Sequence, residues 1–336
     1  MGSARREIRK EGFTLVELLL VLAIMGILTG VALGVLRRLQ GGQAGAAPMA
    51  RARLAAARNT ALTSGTPSWV RFFEGSGARA GTLYLEWTSV SPLLYFSFEE
   101  GSLGWGGWKG EMAGGKIVPG GRFGNGLVQE KAGAPGLLLQ TEGRDDLRLE
   151  GGFAVRADLK PEERQAMILV KWGMTFALGV DDAGVPQGTM TLRGTRNLPG
   201  KKVVLGGKDP LPLNRWSTLK LVADGEGCWL MVNGLVVDRA KAKGKPYYRL
   251  GEPIFISAPQ APVAGVLDEV GLQALDREQP EAFPEGVELV KGPKLVRFVP
   301  GGALDPALHP NGVGLRFRLP GGRIQEVFVT PAGVVE

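Results

Sequence analysis

Glu17 is the residue whose type and position most demand a chemical role. It stands alone among charges in the apolar stretch from Phe13 to Leu36, 24 residues that follow Arg5, Arg6, Arg9, Lys10 and the pair Gly12-Phe13. As a helix rising ~1.5 Å per residue this stretch would extend ~36 Å, enough to cross a bilayer with some tilt. An ionised carboxylate one turn inside such a span costs at least ~2.5 kcal/mol on insertion scales, so it needs a cation at the same depth. A cut between Gly12 and Phe13 would create one: the new α-amine lies four residues from Glu17. It can pair with the Glu17 of a neighbouring copy, neutralising both charges and setting an axial stagger between helices.

Gly12, Phe13 and Glu17 resemble the class III signal of type IV pilins and type II secretion pseudopilins. The resemblance implies that a membrane-bound prepilin peptidase cuts after Gly12 and methylates Phe13, and that Glu17 directs assembly with other pilins or pseudopilins. It also implies a single-pass protein of the bacterial inner membrane, with a cytoplasmic N-terminus, an extracytoplasmic globular part, and a place in a pseudopilus or pilus after assembly. Charge bias alone does not orient the span, because Arg37 and Arg38 follow it directly. An ordinary secretory signal has a shorter apolar core with small residues at its far end, and a plain anchor leaves Glu17 unexplained.

The elements behind this segment must be globular and rich in tight turns. The chain has 336 residues, 44% hydrophobic, with 52 glycines, which is enough for more than one core. Its single cysteine, Cys228, excludes an internal disulfide and reads as part of a buried strand. The net charge is +7; the leader through Gly12 holds four basic and two acidic residues, so processing would leave +5. No dense Lys/Arg run appears in the sequence, and nucleic acid is not an expected partner.

After the span, Gly41-Gly42 and Gly45 interrupt the helical pattern and Pro48 marks a kink or a restart. Leu54, Ala55, Arg58, Ala61 and Leu62 continue at helical spacing from Met49 to a stop at Gly65-Thr66-Pro67. Strand-like runs follow at 68–73 and 82–87. Two strands make no stable domain, so their partners are sought at 295–299, 314–319 and 325–329, the last two joined by a hairpin at Gly321-Gly322. The run Ala57 to Leu62 with Val70-Arg71-Phe72, and the ending from Arg297-Phe298-Val299-Pro300-Gly301-Gly302 to Gly333, resemble the H-type minor pseudopilins of general secretion and the T-type fimbrial pilins. That likeness implies one helix packed on small antiparallel sheets.

Nearly 190 residues separate these halves, too many for a structureless loop. They carry short alternating blocks ending in turn residues, including Leu94 to Gly101, Gly121 to Leu127, Phe153 to Pro161, Asn214 to Val222, Leu230 to Val237 and Gly265 to Leu272. In order and spacing the blocks resemble laminin G-like, concanavalin A-like jelly rolls, whose first and last strands pair and so allow insertion into a host loop. The expected fold is therefore α+β, a long transmembrane and stalk helix on a small antiparallel β domain interrupted by a jelly-roll sandwich. The divisions are a leader at 1–12, helix at 13–65, first β part at 66–90, insert at 91–277 and second β part at 278–336.

Catalytic chemistry finds little support. The one histidine, His309, reads as a solvated turn residue, which removes histidine triads and histidine metal sites. Gly110 to Lys116 fits the glycines and lysine of a phosphate loop, but Ile117 replaces the Ser/Thr that would hold magnesium. Asp268-Glu269 are adjacent on an expected strand, so they point to opposite faces, which argues against a glycanase pair. Trp105 and Trp108, in the loop from Gly101 to Gly110, suit stacking on sugar rings, while Asp181-Asp182 suits a calcium ligand pair. Such tryptophans also cap sandwich cores, and Asp-Asp-Ala-Gly is also ordinary turn chemistry.

The expectation is thus a non-enzymatic minor pseudopilin or pilin subunit without a cofactor, calcium being the one candidate. An insert this large would crowd a repeating shaft and belongs near the tip. The alternative is an adhesin or receptor whose jelly roll binds a glycan or a secreted protein. DNA capture through a basic C-terminal region, as the T-type likeness suggests, lacks its feature, since Pro331 to Glu336 carries no base.

Overall fold

The computed structural model describes residues 45–99, 108, 110–131 and 133–336. The leader, the expected span with Gly12, Phe13 and Glu17, and Trp105 lie outside the described residues. Among the described residues no helix is long and apolar enough to cross a membrane.

Helix α1 runs Ala46–Ser64, starting three residues earlier than the spacing suggested. Gly45 before it is extended, and Pro48 sits in the first turn, where its missing N–H costs no helical bond, so Pro48 marks a start and not a kink. Gln325 Oε1 accepts the Ala47 N–H at 2.9 Å and serves as the cap that Gly45 lacks. Gly65 ends the helix in the left-handed conformation at φ 57°. Ala46, Ala50, Leu54, Ala57 and Ala61 recur at helical spacing on the buried face, and their small size lets the helix lie close against strands.

The strands before the middle of the chain are β1 (Ser68–Glu74), β2 (Leu83–Phe96), β3 (Gly110–Glu111), β4 (Gly115–Gly121), β5 (Gly124–Gln129), β6 (Leu137–Leu139) and β7 (Phe153–Pro161). Next come β8 (Met167–Trp172), β9 (Phe176–Val180), β10 (Pro186–Arg193), β11 (Pro199–Gly206), β12 (Ser217–Ala223), β13 (Gly227–Val232) and β14 (Leu235–Lys241). The remainder are β15 (Ile254–Ile256), β16 (Gly265–Arg277), β17 (Glu281–Ala282), β18 (Glu288–Lys291), β19 (Leu295–Phe298), β20 (Val313–Arg318) and β21 (Ile324–Val329).

One sheet, in the order β14-β13-β12-β7-β16-β2-β1-β19, crosses the whole molecule. Strand β2 makes this possible. Leu83 to Trp87 pair with β1, and Thr88 to Phe96 pair with β16, without an intervening turn. The division expected between 90 and 91 therefore falls inside a strand. Pro92 survives in its middle because it stands at the register shift between Leu272 and Gln273, a bulge where no ladder N–H is required.

A second sheet, β11-β10-β9-β8-β15-β6-β3, packs on the first to make a jelly-roll-like sandwich. Phe153 from one sheet and Phe176 from the other stack at 4.9 Å in the shared core. The helix has its own core, formed with Phe72, Leu85, Phe298 and Phe317. The C-terminal strands divide: β18, β20 and β21 form a three-stranded sheet, while β19 leaves them to pair with β1. The pairing of β19 with β1 is the one sought for residues 295–299, whereas β20 and β21 do not join that sheet and pair with β18 and each other. Val296 and Phe298 of β19 pack in the helix core.

Candidate functional site

Three parts of the described structure combine polar groups closely enough to act together. The first lies where β7 and β16 meet the β4–β5 hairpin. Asp158 and Asp268 are register partners, and both side chains are buried. Arg122 Nη1 donates to Asp158 Oδ2 at 2.6 Å, and Arg156 donates to both Asp158 oxygens at 3.0 and 3.2 Å. Asp268 Oδ2 accepts the Arg122 N–H at 2.8 Å and the Phe123 N–H at 3.3 Å, which fastens the hairpin turn to the sheet. Burial pushes the Asp268 carboxyl above the usual range, against the pull of these N–H groups.

The expected strand alternation at Asp268-Glu269 does not hold. The register shifts between Asp268 and Gly271, and Glu269 takes a left-handed φ of 52°. This bulge turns Glu269 so that its carboxylate accepts the Tyr95 hydroxyl, whose pKa is raised by burial and by that carboxylate. Every carboxylate here already accepts a side-chain or backbone donor, so the cluster works as a lock between hairpin and sheet.

The second part is a groove of about 580 Å³ across β8 to β11, on the second sheet's outer face. Lys171, Gln187, Thr189 and Lys202 rim it, and Ala177 and Gly179 form its floor. A Cβ on Gly179 would stand 2.0 Å from the Met167 carbonyl oxygen, so only glycine allows the strands to approach. Small residues alternating with Phe176, Leu178 and Val180 were a sequence signal for a floor between large core residues, and the sequence reading missed it.

The third is the seam where the sandwich meets the helix. Lys220 Nζ donates to the Ser64 and Gly65 carbonyls at 2.6 and 3.0 Å, capping the C-terminus of α1 from β12. Burial, and to a lesser degree Arg156, lower this ammonium to about 8. Arg297 from β19 lies over Trp229 at 5.1 Å and meets Asp224 Oδ2 at 3.2 Å. Asp224 Oδ1 accepts the N–H groups of Glu226 and Gly227, each at 2.9 Å. Burial raises the Asp224 carboxyl while Arg297 opposes the rise. His309 is not solvated as expected: it is 7% exposed, its Nε2 accepts the Arg297 N–H at 3.3 Å, and burial lowers its pKa. The turn folds back over the edge of β19, which its local sequence does not announce.

The sandwich residues singled out in the sequence take other places. Trp108 is 8% exposed, donates its indole N–H to the Leu93 carbonyl at 2.9 Å and carries the Arg144 guanidinium 4.1 Å from its ring. Asp181 Oδ1 accepts the N–H groups of Ala183 and Val185, and Oδ2 accepts from Gln187, so both oxygens hold the β9–β10 turn; Asp182 is exposed beside it. Among the described residues no three His, Cys, Asp or Glu side chains gather as a metal site. Cys228 is buried in β13, and its thiol is pushed up to about 12. Gly110 to Lys116 leads from β3 to β4 with no helix to receive a phosphate.

Comparison with known proteins gives one family match, the Prokaryotic N-terminal methylation motif, over residues 9–33. This is a type IV pilin-like signal, and it implies processing by prepilin peptidase and assembly with other pilins. It is consistent with a membrane-anchored or pilus location. No curated protein matches the chain. Among solved structures, domain 4 of AbnA, a GH43 extracellular arabinanase from Geobacillus stearothermophilus, aligns at 15% identity over 58% of this chain and 95% of that one, with a TM-score of 0.41. The binding domain of Paraclostridial Mosquitocidal Protein 1 aligns at 12% identity over 71% of this chain and 64% of that one, with a TM-score of 0.43. The binding domain of botulinum neurotoxin serotype G aligns at 9% over 54% and 47%, with a TM-score of 0.40.

Proposed function

We propose that this chain is a minor pseudopilin or pilin subunit that carries a sandwich domain into a type II secretion pseudopilus or type IV pilus. The methylation-motif match over residues 9–33, which contains Gly12, Phe13 and Glu17, is the observation that carries the reading. Cleavage after Gly12 frees the Phe13 amine, its methylation follows, and pairing with Glu17 of a neighbour draws the subunit from the inner membrane into the fibre. Among the described residues, one α-helix packed on the β2-β1-β19 end of the large sheet and on the three-stranded sheet supports the H-type or T-type likeness. Strands β2 and β16 join that part to the sandwich through a continuous sheet, and the sandwich's bulk favours a place near the tip.

The test is the N-terminus of the full chain expressed with a prepilin peptidase, read by mass spectrometry, together with incorporation of Glu17→Ala. Methylated Phe13 at the start, with the variant cleaved normally but poorly incorporated, is the expected result. An intact leader, or normal incorporation of the variant, refutes it.

A second reading makes the sandwich a non-catalytic binding module for a glycan or a secreted protein. The groove over Ala177 and Gly179, with ammonium, hydroxyl and amide groups at its rim, favours this more than Trp108 or Asp181, whose polar atoms are engaged. Calcium remains a candidate only at exposed carboxylates such as Asp182. A glycan array on the full chain, with and without calcium, tests both; silence under both conditions removes the glycan form.

A further inference from the structure

The lysines that look scattered along the sequence are gathered by the fold onto one edge. Strand β11 with the strap behind it (residues 199–208) and strand β14 with its exit (residues 235–245) hold seven basic residues and one acid, Asp238; of the seven, Arg239 meets Asp305 at 3.5 Å and Lys245 meets Glu150 at 2.6 Å, and the exposed Asp209 follows Lys208. The two segments lie at the same edge of the sandwich, where Asp238 Oδ2 accepts the Gly206 N–H at 2.9 Å. Lys201, Lys202, Lys208, Lys241 and Lys243 are exposed, and none has an acid within ion-pair distance among the described residues. Between them stand apolar side chains that no other described residue covers: Val204 at 60% and Leu235 at 72% exposure, with Val236 beside Leu235. A cleft of about 420 Å³, lined by Pro210, Leu211, Leu235 and Val237, opens in the same patch.

We infer that this edge docks on a bilayer surface bearing anionic lipids. The lysines match the headgroup charge, and the projecting Val204 and Leu235 suit the boundary between headgroups and acyl chains. A nucleic acid would satisfy the lysines but would leave those apolar tips without a partner. The inference does not depend on how the N-terminus is processed.

The test uses the full chain in nanodiscs of zwitterionic lipid, immobilised by a tag after Glu336. It measures capture of fluorescent vesicles containing phosphatidylglycerol, of vesicles of phosphatidylcholine alone, and of labelled duplex DNA. Capture of anionic vesicles at least tenfold above neutral ones is expected, falling as salt is raised. Combining Lys201→Glu, Lys202→Glu, Lys241→Glu and Lys243→Glu should lower it by more than a hundredfold, since each lysine near such a surface is worth roughly fivefold and reversal doubles the effect. Val204→Ser with Leu235→Ser should lower it severalfold with all charges kept. Circular dichroism confirms that these surface variants are folded. Equal capture of both vesicle types, unchanged capture by the charge-reversed chain, no loss with the serine pair, or capture of DNA alone would each overturn the inference.

Discussion

Arg297→Met isolates the seam between sandwich and helix. Methionine keeps an unbranched apolar stem but removes the guanidinium that lies over Trp229 and meets Asp224 at 3.2 Å. Asp224 has no exposed surface and would keep only the N–H groups of Glu226 and Gly227. Removing one member of a buried pair costs about 3–5 kcal/mol, because the other charge stays buried without compensation. The lost contact with Trp229 adds roughly 0.5–2 kcal/mol. The cost should depend on pH, and its sign follows from Asp224. Burial already raises that carboxyl, and Arg297 is the cation that opposes the rise. Without Arg297 the folded chain binds a proton at pH values where the unfolded carboxyl, near ~3.9, has lost it. Stability of the variant therefore falls as pH climbs through that interval and levels off above the raised folded value. Urea unfolding followed by tryptophan fluorescence at pH 4.5 and 7 should show the deficit larger at pH 7. Adding Asp224→Asn should recover much of it. A deficit below about 1 kcal/mol at pH 7, or one equal at both pH values, would refute this account of the seam.

Two further outcomes follow from single contacts. Lys220 is lowered to about 8, so between that value and its ordinary 10.5 the unfolded chain holds a proton that the folded chain releases, and stability should rise with pH by at most ~3 kcal/mol. Lys220→Met should abolish that rise in urea midpoints compared at pH 7.5 and 10; an unchanged slope would mean the ammonium is not buried against Ser64 and Gly65. Gly179→Ala should destabilise by roughly 1–3 kcal/mol in the same assay, since its Cβ would meet the Met167 carbonyl oxygen at 2.0 Å and force β8 from β9. A change under ~0.5 kcal/mol would show that the groove floor has room to spare.

The local features of the chain were legible because they need only neighbours in sequence. Gly12, Phe13 and Glu17 form a signal within a few residues, and the family match over 9–33 covers them. The stop at Gly65 was visible for the same reason, since one glycine in a left-handed conformation ends a helix by itself. Alternation likewise marked the short strands of a sandwich, because a half-exposed strand writes its period of two into the sequence.

Alternation does not name a strand's partner. It could not show that Leu83 to Phe96 is one strand shared by two cores, because the bulge that accommodates Pro92 is set by β16, nearly two hundred residues later. The same limit hid the turn at Glu269, where a bulge against β7 overrides the period of two, and the burial of His309, which depends on a loop folding over β19. Charge was the most deceptive. Lys201, Lys202, Lys241 and Lys243 belong to two segments some 40 residues apart, and only the meeting of β11 and β14 at one sandwich edge turns a mild net charge into a basic face. Sequence determined what each segment could become by itself; long-range pairing decided which charges and side chains share a surface, because those contacts are fixed by packing between distant strands.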